Sequence, residues 1–125
     1  MTGFDTSRTG LEQAQNAARA AGLQIRTVLA SDEEFDLGTE KWDLIAIIYP
    51  IEKRSVHRVR QALKRGGIVV VECSHKENGN APFEYDTNEL LKIFEGFRII
   101  KYEETIAEHE WVRKQLRLVR LIAEK

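Results

Sequence analysis

The sequence has 125 residues, of which 42% are hydrophobic and 31% charged, and its formal net charge is -1 at pH 7. A chain of this length can bury a core without disulfides or metal ions, so we expect a single domain over residues 1–125. The 19 Lys and Arg against 20 Asp and Glu leave no cationic excess for neutralising phosphates, which argues against nucleic acid as a partner.

The cysteine and histidine content predicts neither a disulfide nor a metal site. Cys73 is the only cysteine, which excludes an internal disulfide or a CxxC pair and fits a reducing, cytoplasmic setting. His57 and His109 lack a neighbouring cysteine or carboxylate at ligand spacing. The first residues, MTGFDTSRTG, are polar and the longest apolar stretch is too short to span a bilayer, so we expect no membrane association.

The start of the chain predicts a strand, a helix and a second strand. Residues 3–5 form a short start, and Ser7 or Thr9 can cap a helix whose apolar residues recur at helical spacing. Gly22 is placed to end that helix, and residues 23–29 should form the next strand.

The middle of the chain predicts two central strands joined by a helix. Residues 42–48, which follow an acidic loop over 31–41, run apolar without alternating, and so do residues 68–72. Such runs are typical of parallel strands that are buried on both faces. The helix between them begins near Ser55 and should stop at the glycine pair 66–67.

The end of the chain predicts a loop, a short helix and a hairpin. Residues 74–85 carry turn residues, Asp86 and Glu89 match a capping box, and two segments at 97–106 and 114–123 are rich in strand-forming residues. The alternation of strands and helices predicts an open α/β sheet that ends in an antiparallel hairpin. Ligands bind such sheets at the carboxyl ends of the strands.

Four segments in register with these elements carry a family resemblance. They are GFDTS at residues 3–7, SDEEFDLG at 31–38, WDLI at 42–45 and LKRGGIVVVE at 63–72. Together they resemble class I S-adenosylmethionine-dependent methyltransferases, and the acidic loop is similar to that of the tellurite-resistance type of small methyltransferases. The resemblance covers essentially the whole chain. It implies a Rossmann-like, mostly parallel sheet, S-adenosylmethionine as cofactor and a small-molecule acceptor.

The resemblance also implies where the cofactor binds, namely at Asp5, Thr6, Asp32, Glu33 and Tyr49. Asp5 would accept hydrogen bonds from the ribose hydroxyls, or it is an acid that interacts with the start of the following helix. Asp32 would bind the adenine amino group with the Glu33 backbone beside it, or both belong to a solvated acidic loop. Tyr49 ends the central strand where the family packs the cofactor and admits the acceptor.

Two residues are candidates for a catalytic role. Glu72, Cys73 and His75 leave the second central strand toward one face, and His75 could act as a base or orient the acceptor, because histidine exchanges protons near neutral pH. The alternative for His75 is an exposed loop residue. Tyr49 is the second candidate. Methyl transfer from a sulfonium needs chiefly proximity and alignment, so the sequence assigns no catalytic base. Trp111 could cover a substrate pocket or staple the hairpin.

The chain departs from the family pattern before Asp5. In the family, a glycine-rich turn after an earlier strand holds the methionine end of the cofactor, but the eight glycines here contain no GxGxG. We therefore expect an N-terminally truncated fold whose missing strand would lie beside residues 42–48. An apolar sheet edge would then be exposed, so the chain should form a homo-oligomer through it or re-pair its own sheet.

These observations predict a methyltransferase domain that uses S-adenosylmethionine, acts on a small acceptor, and is impaired or inactive as this isolated chain. The alternative is a non-catalytic truncated remnant or fragment that folds and self-associates. The acceptor itself is not readable from the sequence.

Overall fold

The computed structural model describes residues 1–49, 53–79, 81, 84–109 and 112–125. They divide into two units, Met1–Asp36 and Leu37–Lys125, and the expectation of a single domain stays a prediction. Trp111, for which the sequence left two roles open, lies outside the described residues. Among the described helices, none is long and apolar enough to cross a membrane.

The first unit is a strand, a helix and a parallel strand, as predicted. Its elements are β1 (Thr2–Asp5), α1 (Arg8–Ala20) and β2 (Arg26–Leu29). Ser7 caps α1, because its Oγ accepts a hydrogen bond from the Gly10 amide at 3.0 Å. After the helix, Gly22 adopts a φ of 70°, a left-handed conformation that favours glycine. The helix thereby returns the chain to pair β2 with β1, with Asp5 opposite Leu29.

The second unit contains a four-stranded sheet. Its elements are β3 (Trp42–Ile48), α2 (Lys53–Ala62), β4 (Leu63–Ser74), the 3-10 turn Lys76–Asn78, α3 (Glu89–Ile93), β5 (Arg98–His109) and β6 (Lys114–Glu124). The strand order is β3-β4-β6-β5. The β3 and β4 strands are parallel, whereas β6 runs antiparallel to both β4 and β5. The predicted hairpin is present, but this sheet is mixed rather than mostly parallel.

The glycine pair lies inside β4 and does not end the helix, which corrects the expectation from the sequence. The α2 helix ends at Ala62, and β4 begins at Leu63 opposite Trp42. A Cβ atom on Gly67 would lie 2.9 Å from the Lys64 carbonyl oxygen and 3.1 Å from the Trp42 carbonyl oxygen. The close approach of backbone oxygens, first that of Lys64 in β4 itself and then that of Trp42 in β3, rather than helix termination, therefore favours glycine here.

The core of the second unit lies on one face of the sheet. Along β4, Val69, Val71 and Cys73 are buried, while the alternate side chains, including Val70 and Glu72, are half-buried. This alternation follows from the pleat of a strand, which sends successive side chains to opposite faces. The buried face meets α2, which packs against β4.

The β3 strand is exposed, although its uniformly apolar sequence predicted burial on both faces. Leu44 is 58% exposed and Ile48 is 50% exposed. Among the described strands, β3 pairs with β4 alone and is therefore an edge of the sheet. An apolar run indicates that a strand can be buried, but the described part of the chain leaves one face and one edge of β3 uncovered.

Candidate functional site

Two of the acids predicted to bind a cofactor follow the parallel strands of the first unit. Asp5 is the last residue of β1, and Asp32 follows soon after β2 ends at Leu29, the register partner of Asp5. Carboxyl ends of parallel strands meet at one edge of a sheet, which is where α/β proteins bind ligands. The first unit therefore presents its acids where a cofactor could bind.

Asp5 also performs the structural role that the sequence left open. Its Oδ1 accepts a hydrogen bond from the Ser7 amide at 2.7 Å, at the start of α1. Asp5 and Thr6 are both exposed, so their side chains remain accessible to a ligand. The contact orients the carboxylate without burying it, and the role of Asp5 and Thr6 in cofactor binding stays a prediction.

The acidic loop after β2 is held by a reciprocal pair of hydrogen bonds. Glu34 Oε2 accepts from the amide and the hydroxyl of Ser31, each at 3.0 Å, and the Glu34 amide donates to Ser31 Oγ at 3.2 Å. The bonds from Ser31, first the amide and then the hydroxyl, hold the pKa of Glu34 below its usual value. Asp32 and Glu33 lie within this turn. The loop is solvated but conformationally defined, which suits it to present the two predicted adenine-binding residues.

An aromatic stack holds the same loop at Phe35. The rings of Phe4 and Phe35 are 4.3 Å apart at their centroids, with an interplanar angle of 11°. Phe4 belongs to β1 and Phe35 to the acidic loop, so the stack ties the loop to the strand that carries Asp5.

In the second unit, polar side chains gather where β3 and β4 end. We call Tyr49, Glu72, Glu103, His109 and Arg120 the Tyr49 cluster. Tyr49 follows β3 with a φ of 40°, an uncommon conformation for a residue with a side chain. Its amide donates to the Glu72 carbonyl oxygen at 3.2 Å, and its hydroxyl donates to Glu72 Oε1 at 2.5 Å. Backbone and side chain of Tyr49 are thus both anchored on Glu72.

Arg120 occupies the centre of the cluster because the strand register places it between two acids. It lies opposite Glu72 on β4 and opposite Glu103 on β5. Arg120 Nε donates to Glu72 Oε2 at 2.5 Å, and Nη1 donates to Glu103 Oε1 at 3.1 Å. Lys101 reaches the other oxygen of Glu103 at 3.2 Å. Two acids and two cations therefore alternate from β4 through β6 to β5.

These contacts keep Glu72 ionised. Burial raises the pKa of the Glu72 carboxyl, but hydrogen bonds from Tyr49 and Arg120 and the positive charge of Arg120 outweigh burial and lower it. The pKa of Glu103 is lowered as well, first by its hydrogen bond to Arg120. An ionised carboxylate beside a phenol can accept a hydrogen bond from an N–H or O–H group of a bound molecule.

His109 completes the cluster by packing its ring against the ring of Tyr49. It is the last residue of β5 and is 6% exposed. The two ring centroids are 4.2 Å apart with an interplanar angle of 35°. The histidine that the sequence considered only as a metal ligand therefore packs on the tyrosine that it singled out for the site.

His75 is buried at 2% exposure and is not the exposed loop histidine that the sequence offered as an alternative. Its Nδ1 accepts from the Glu77 amide at 3.0 Å, so the proton of the neutral ring lies on Nε2, which contacts Thr87 Oγ1 at 3.1 Å. Thr87 in turn donates to Glu104 at 3.3 Å. One ring nitrogen thus caps the turn Lys76–Asn78 and the other contacts Thr87, and a catalytic role for His75 stays a prediction.

Cys73 does not share a face with Glu72, which corrects the expectation from the sequence. Glu72 is half-buried on one face of β4, while Cys73 is 1% exposed on the other. Burial, with a smaller contribution from the Glu72 charge, raises the pKa of the Cys73 thiol to about 12. The thiolate is therefore suppressed at neutral pH, and Cys73 acts as a small core residue.

The sequence missed Arg120, Glu103 and the role of His109. One signal was available: Glu72 and Arg120 are charged residues within otherwise apolar strand segments, VVVEC and LVRLI. A charge inside a strand predicted to be central needs a partner. Which partner it finds depends on the register between β4, β5 and β6, and that register is not encoded locally.

No protein-family model matches the sequence, and no curated protein matches it. Solved structures do match over nearly the whole chain. TehB from Haemophilus influenzae superposes with a TM-score of 0.78 and 16% identity, covering 99% of this chain and 49% of that protein, so the chain spans about half the length of TehB. A SAM-dependent methyltransferase from Methanosarcina mazei gives 0.77 and 14% identity over 99% of this chain and 81% of that one.

A third match has a named reaction type. The N-methyltransferase NodS from Bradyrhizobium japonicum WM9 superposes with a TM-score of 0.70 and 13% identity, over 99% of this chain and 73% of that one. Identities this low establish the fold and nothing finer. The chain has the fold of class I S-adenosylmethionine-dependent methyltransferases.

Proposed function

We propose that the chain is an S-adenosylmethionine-dependent methyltransferase domain that acts on a small acceptor in a reducing, cytoplasmic setting. The observation that carries the proposal is the fold shared with proteins of this activity over nearly the whole chain. The acidic loop SDEEFDLG further supports the tellurite-resistance type of small methyltransferases. The single cysteine, buried in the core, supports the reducing setting.

The residues of the first unit fit the adenosine end of the cofactor. Ribose hydroxyls and the adenine amino group are hydrogen-bond donors, and Asp5 and Asp32 supply acceptors beside the ends of two parallel strands. Thr6 and the Glu33 backbone would complete this end of the site. The bound cofactor would supply an electrophilic methyl group on its sulfonium.

The methionine end has no matching cradle in this sequence, because none of its glycines form a GxGxG turn. Each lost hydrogen bond weakens binding by about 0.5 to 1.5 kcal/mol, and every 1.4 kcal/mol or so is tenfold in affinity. Loss of several such bonds would weaken binding by orders of magnitude. We therefore propose that the isolated chain is impaired or inactive in methyl transfer.

The Tyr49 cluster is proposed to position the acceptor. Glu72 is held ionised, and each of its oxygens has a lone pair beyond the bond it already accepts from Tyr49 or Arg120. It could therefore orient an N–H or O–H group whose nitrogen or oxygen takes the methyl group. Alignment of this kind is the main contribution that a protein makes to methyl transfer.

Calorimetric titration of the chain with S-adenosylmethionine tests the cofactor proposal. We expect weak but saturable binding at or below millimolar cofactor, which Asp5→Asn and Asp32→Asn should each weaken at least tenfold. Asp5→Asn keeps an oxygen for the Ser7 amide but removes the charge, so its effect reports on the ligand rather than on α1. Glu12→Gln, at an exposed acid of α1, is the matched control and should leave affinity unchanged.

The second candidate is a non-catalytic remnant or fragment that folds and self-associates. The exposed apolar strand β3, together with the missing glycine turn, favours it. Micromolar binding of S-adenosylmethionine would support a competent site and argue against the remnant. The absence of binding at millimolar cofactor would support the remnant and overturn the methyltransferase proposal for this chain.

A further inference from the structure

The two edges of the four-stranded sheet differ in charge. At one edge, β5 carries a series of charged residues: Arg98, Lys101, Glu103, Glu104 and Glu108. At the other edge, β3 carries only Asp43, which forms an ion pair with Lys64 of β4 at 2.8 Å. Charged side chains on an edge strand discourage pairing with another chain, and β3 lacks that protection.

The open edge of β3 also borders an exposed apolar surface. Leu44, Ala46 and Ile48 are all exposed and alternate along the strand, so they share one face of the sheet. That face continues onto β4, where Leu44 lies beside Ile68 and Ala46 beside Val70. Apolar side chains and backbone groups that lack a described strand partner therefore occur together on β3.

We propose that β3 pairs antiparallel with β3 of a second copy of this chain and joins the two sheets around a twofold axis. The pairing that suits the sequence places Ala46 opposite Ala46 on the axis. Leu44 of each copy then faces Ile48 of the other, and Ile45 faces Ile47. Every one of these cross-strand pairs is apolar, and no like charges meet.

This self-pairing satisfies the open backbone groups of β3 and extends the apolar face across both copies. The paired segment is residues 44–48 of each copy, so the interface is small and association should depend on protein concentration. The pairing is independent of methyl transfer, because it uses β3 alone and none of the residues proposed to bind cofactor.

Sedimentation velocity over a series of protein concentrations tests the pairing. It is applied to the native chain and to two variants that place opposite charges at residue 46, on the twofold axis. The native chain should show a reversible monomer–dimer equilibrium. Ala46→Lys and Ala46→Glu should each be monomeric, because like charges would meet on the axis. An equimolar mixture of the two variants should form the dimer again, since Lys then faces Glu. Residue 46 is exposed, so both side chains can point into water in the folded monomer.

Ile106→Lys on β5 is the matched control, because Ile106 is an exposed apolar residue on the other edge of the sheet. It should leave the dimer unchanged, and circular dichroism should show that every variant is folded. A native chain that is monomeric at all concentrations, or that pairs only with a different protein, would overturn the proposal. Dimers that persist in both Ala46 variants, or variants whose mixture stays monomeric, would overturn it equally.

Discussion

Glu72 and Arg120 face each other across β4 and β6, and Arg120 Nε donates to Glu72 Oε2 at 2.5 Å. The Glu72 carboxylate is 22% exposed and the Arg120 guanidinium 35% exposed, so water screens the pair less than it would on an open surface. Tyr49 donates to the same carboxylate from the end of β3. One acid therefore links three strands, and the arrangement of the Tyr49 cluster depends on it.

Arg120→Met should lower the free energy of unfolding by about 1 to 3 kcal/mol, because it leaves the half-buried Glu72 carboxylate without its charged partner. Arg98→Met is the matched control. Arg98 pairs with Glu124, but its guanidinium is 71% exposed, and such pairs contribute about 1 kcal/mol or less. Urea denaturation measures both changes. Equal losses in the two variants would show that the Glu72 pair is no more than a surface contact.

Glu72→Gln should make the free energy of unfolding depend less on pH between neutral and acidic conditions. The folded-state pKa of Glu72 lies below its usual value of 4.5, so its ionised form stabilises the fold above that value. The contribution is lost as pH falls through the lower, folded-state pKa. The stability difference between the native chain and Glu72→Gln should thus be largest near neutral pH and shrink on acidification. Urea denaturation at several pH values checks this, and a difference that stays constant would contradict it.

Local signals predicted much of the fold. The Ser7 cap, the left-handed Gly22, the bounds of β3 and the final hairpin all depend on residues close in sequence, and the structure contains them. Apolar runs also predicted where the strands lie along the chain. They did not reveal whether both faces of β3 would be covered, because that depends on which other segments the strand meets.

The Tyr49 cluster could be predicted only in part. Tyr49 itself is a candidate from the sequence because it ends a strand at the ligand-binding edge of the sheet. Its contact with His109 joins residues sixty positions apart, so it requires the register of a hairpin that no local pattern specifies. The sequence predicts His75 in a loop, and it lies there, but its burial depends on Thr87 and Glu104 from other elements.

His75→Ala should destabilise the chain, whereas His75→Asn should recover much of the loss. Alanine removes the acceptor for the Glu77 amide and leaves a cavity at a site that is 2% exposed. We expect a loss of about 2 kcal/mol, within the range for a buried polar group that loses its partner. Asparagine can accept from the amide two residues ahead, as it does in Asx turns. Thermal unfolding of both variants tests this. Equal melting temperatures for His75→Ala and His75→Asn would contradict a capping role for His75.

Gly67→Ala should be among the more damaging small substitutions in β4. The added Cβ would lie 2.9 Å from the Lys64 carbonyl oxygen and 3.1 Å from the Trp42 carbonyl oxygen, and neither backbone group can turn away as a flexible side chain could. Overpacking of this kind costs about 1 to 3 kcal/mol. Here it would distort the start of β4 at Lys64 and press on β3 at Trp42, beside the first pairing of the two strands.

The neighbouring glycine supplies the matched control for this substitution. Gly66 has a φ of 77°, and among the described residues no atom lies within 4 Å of the place that a Cβ on it would occupy. Gly66→Asn should therefore be tolerated, because asparagine adopts left-handed conformations more readily than other residues. Chemical denaturation should show a loss for Gly67→Ala that clearly exceeds the loss for Gly66→Asn. If Gly66→Asn were the more damaging change, backbone conformation rather than the approach of β3 to β4 would explain the glycine pair.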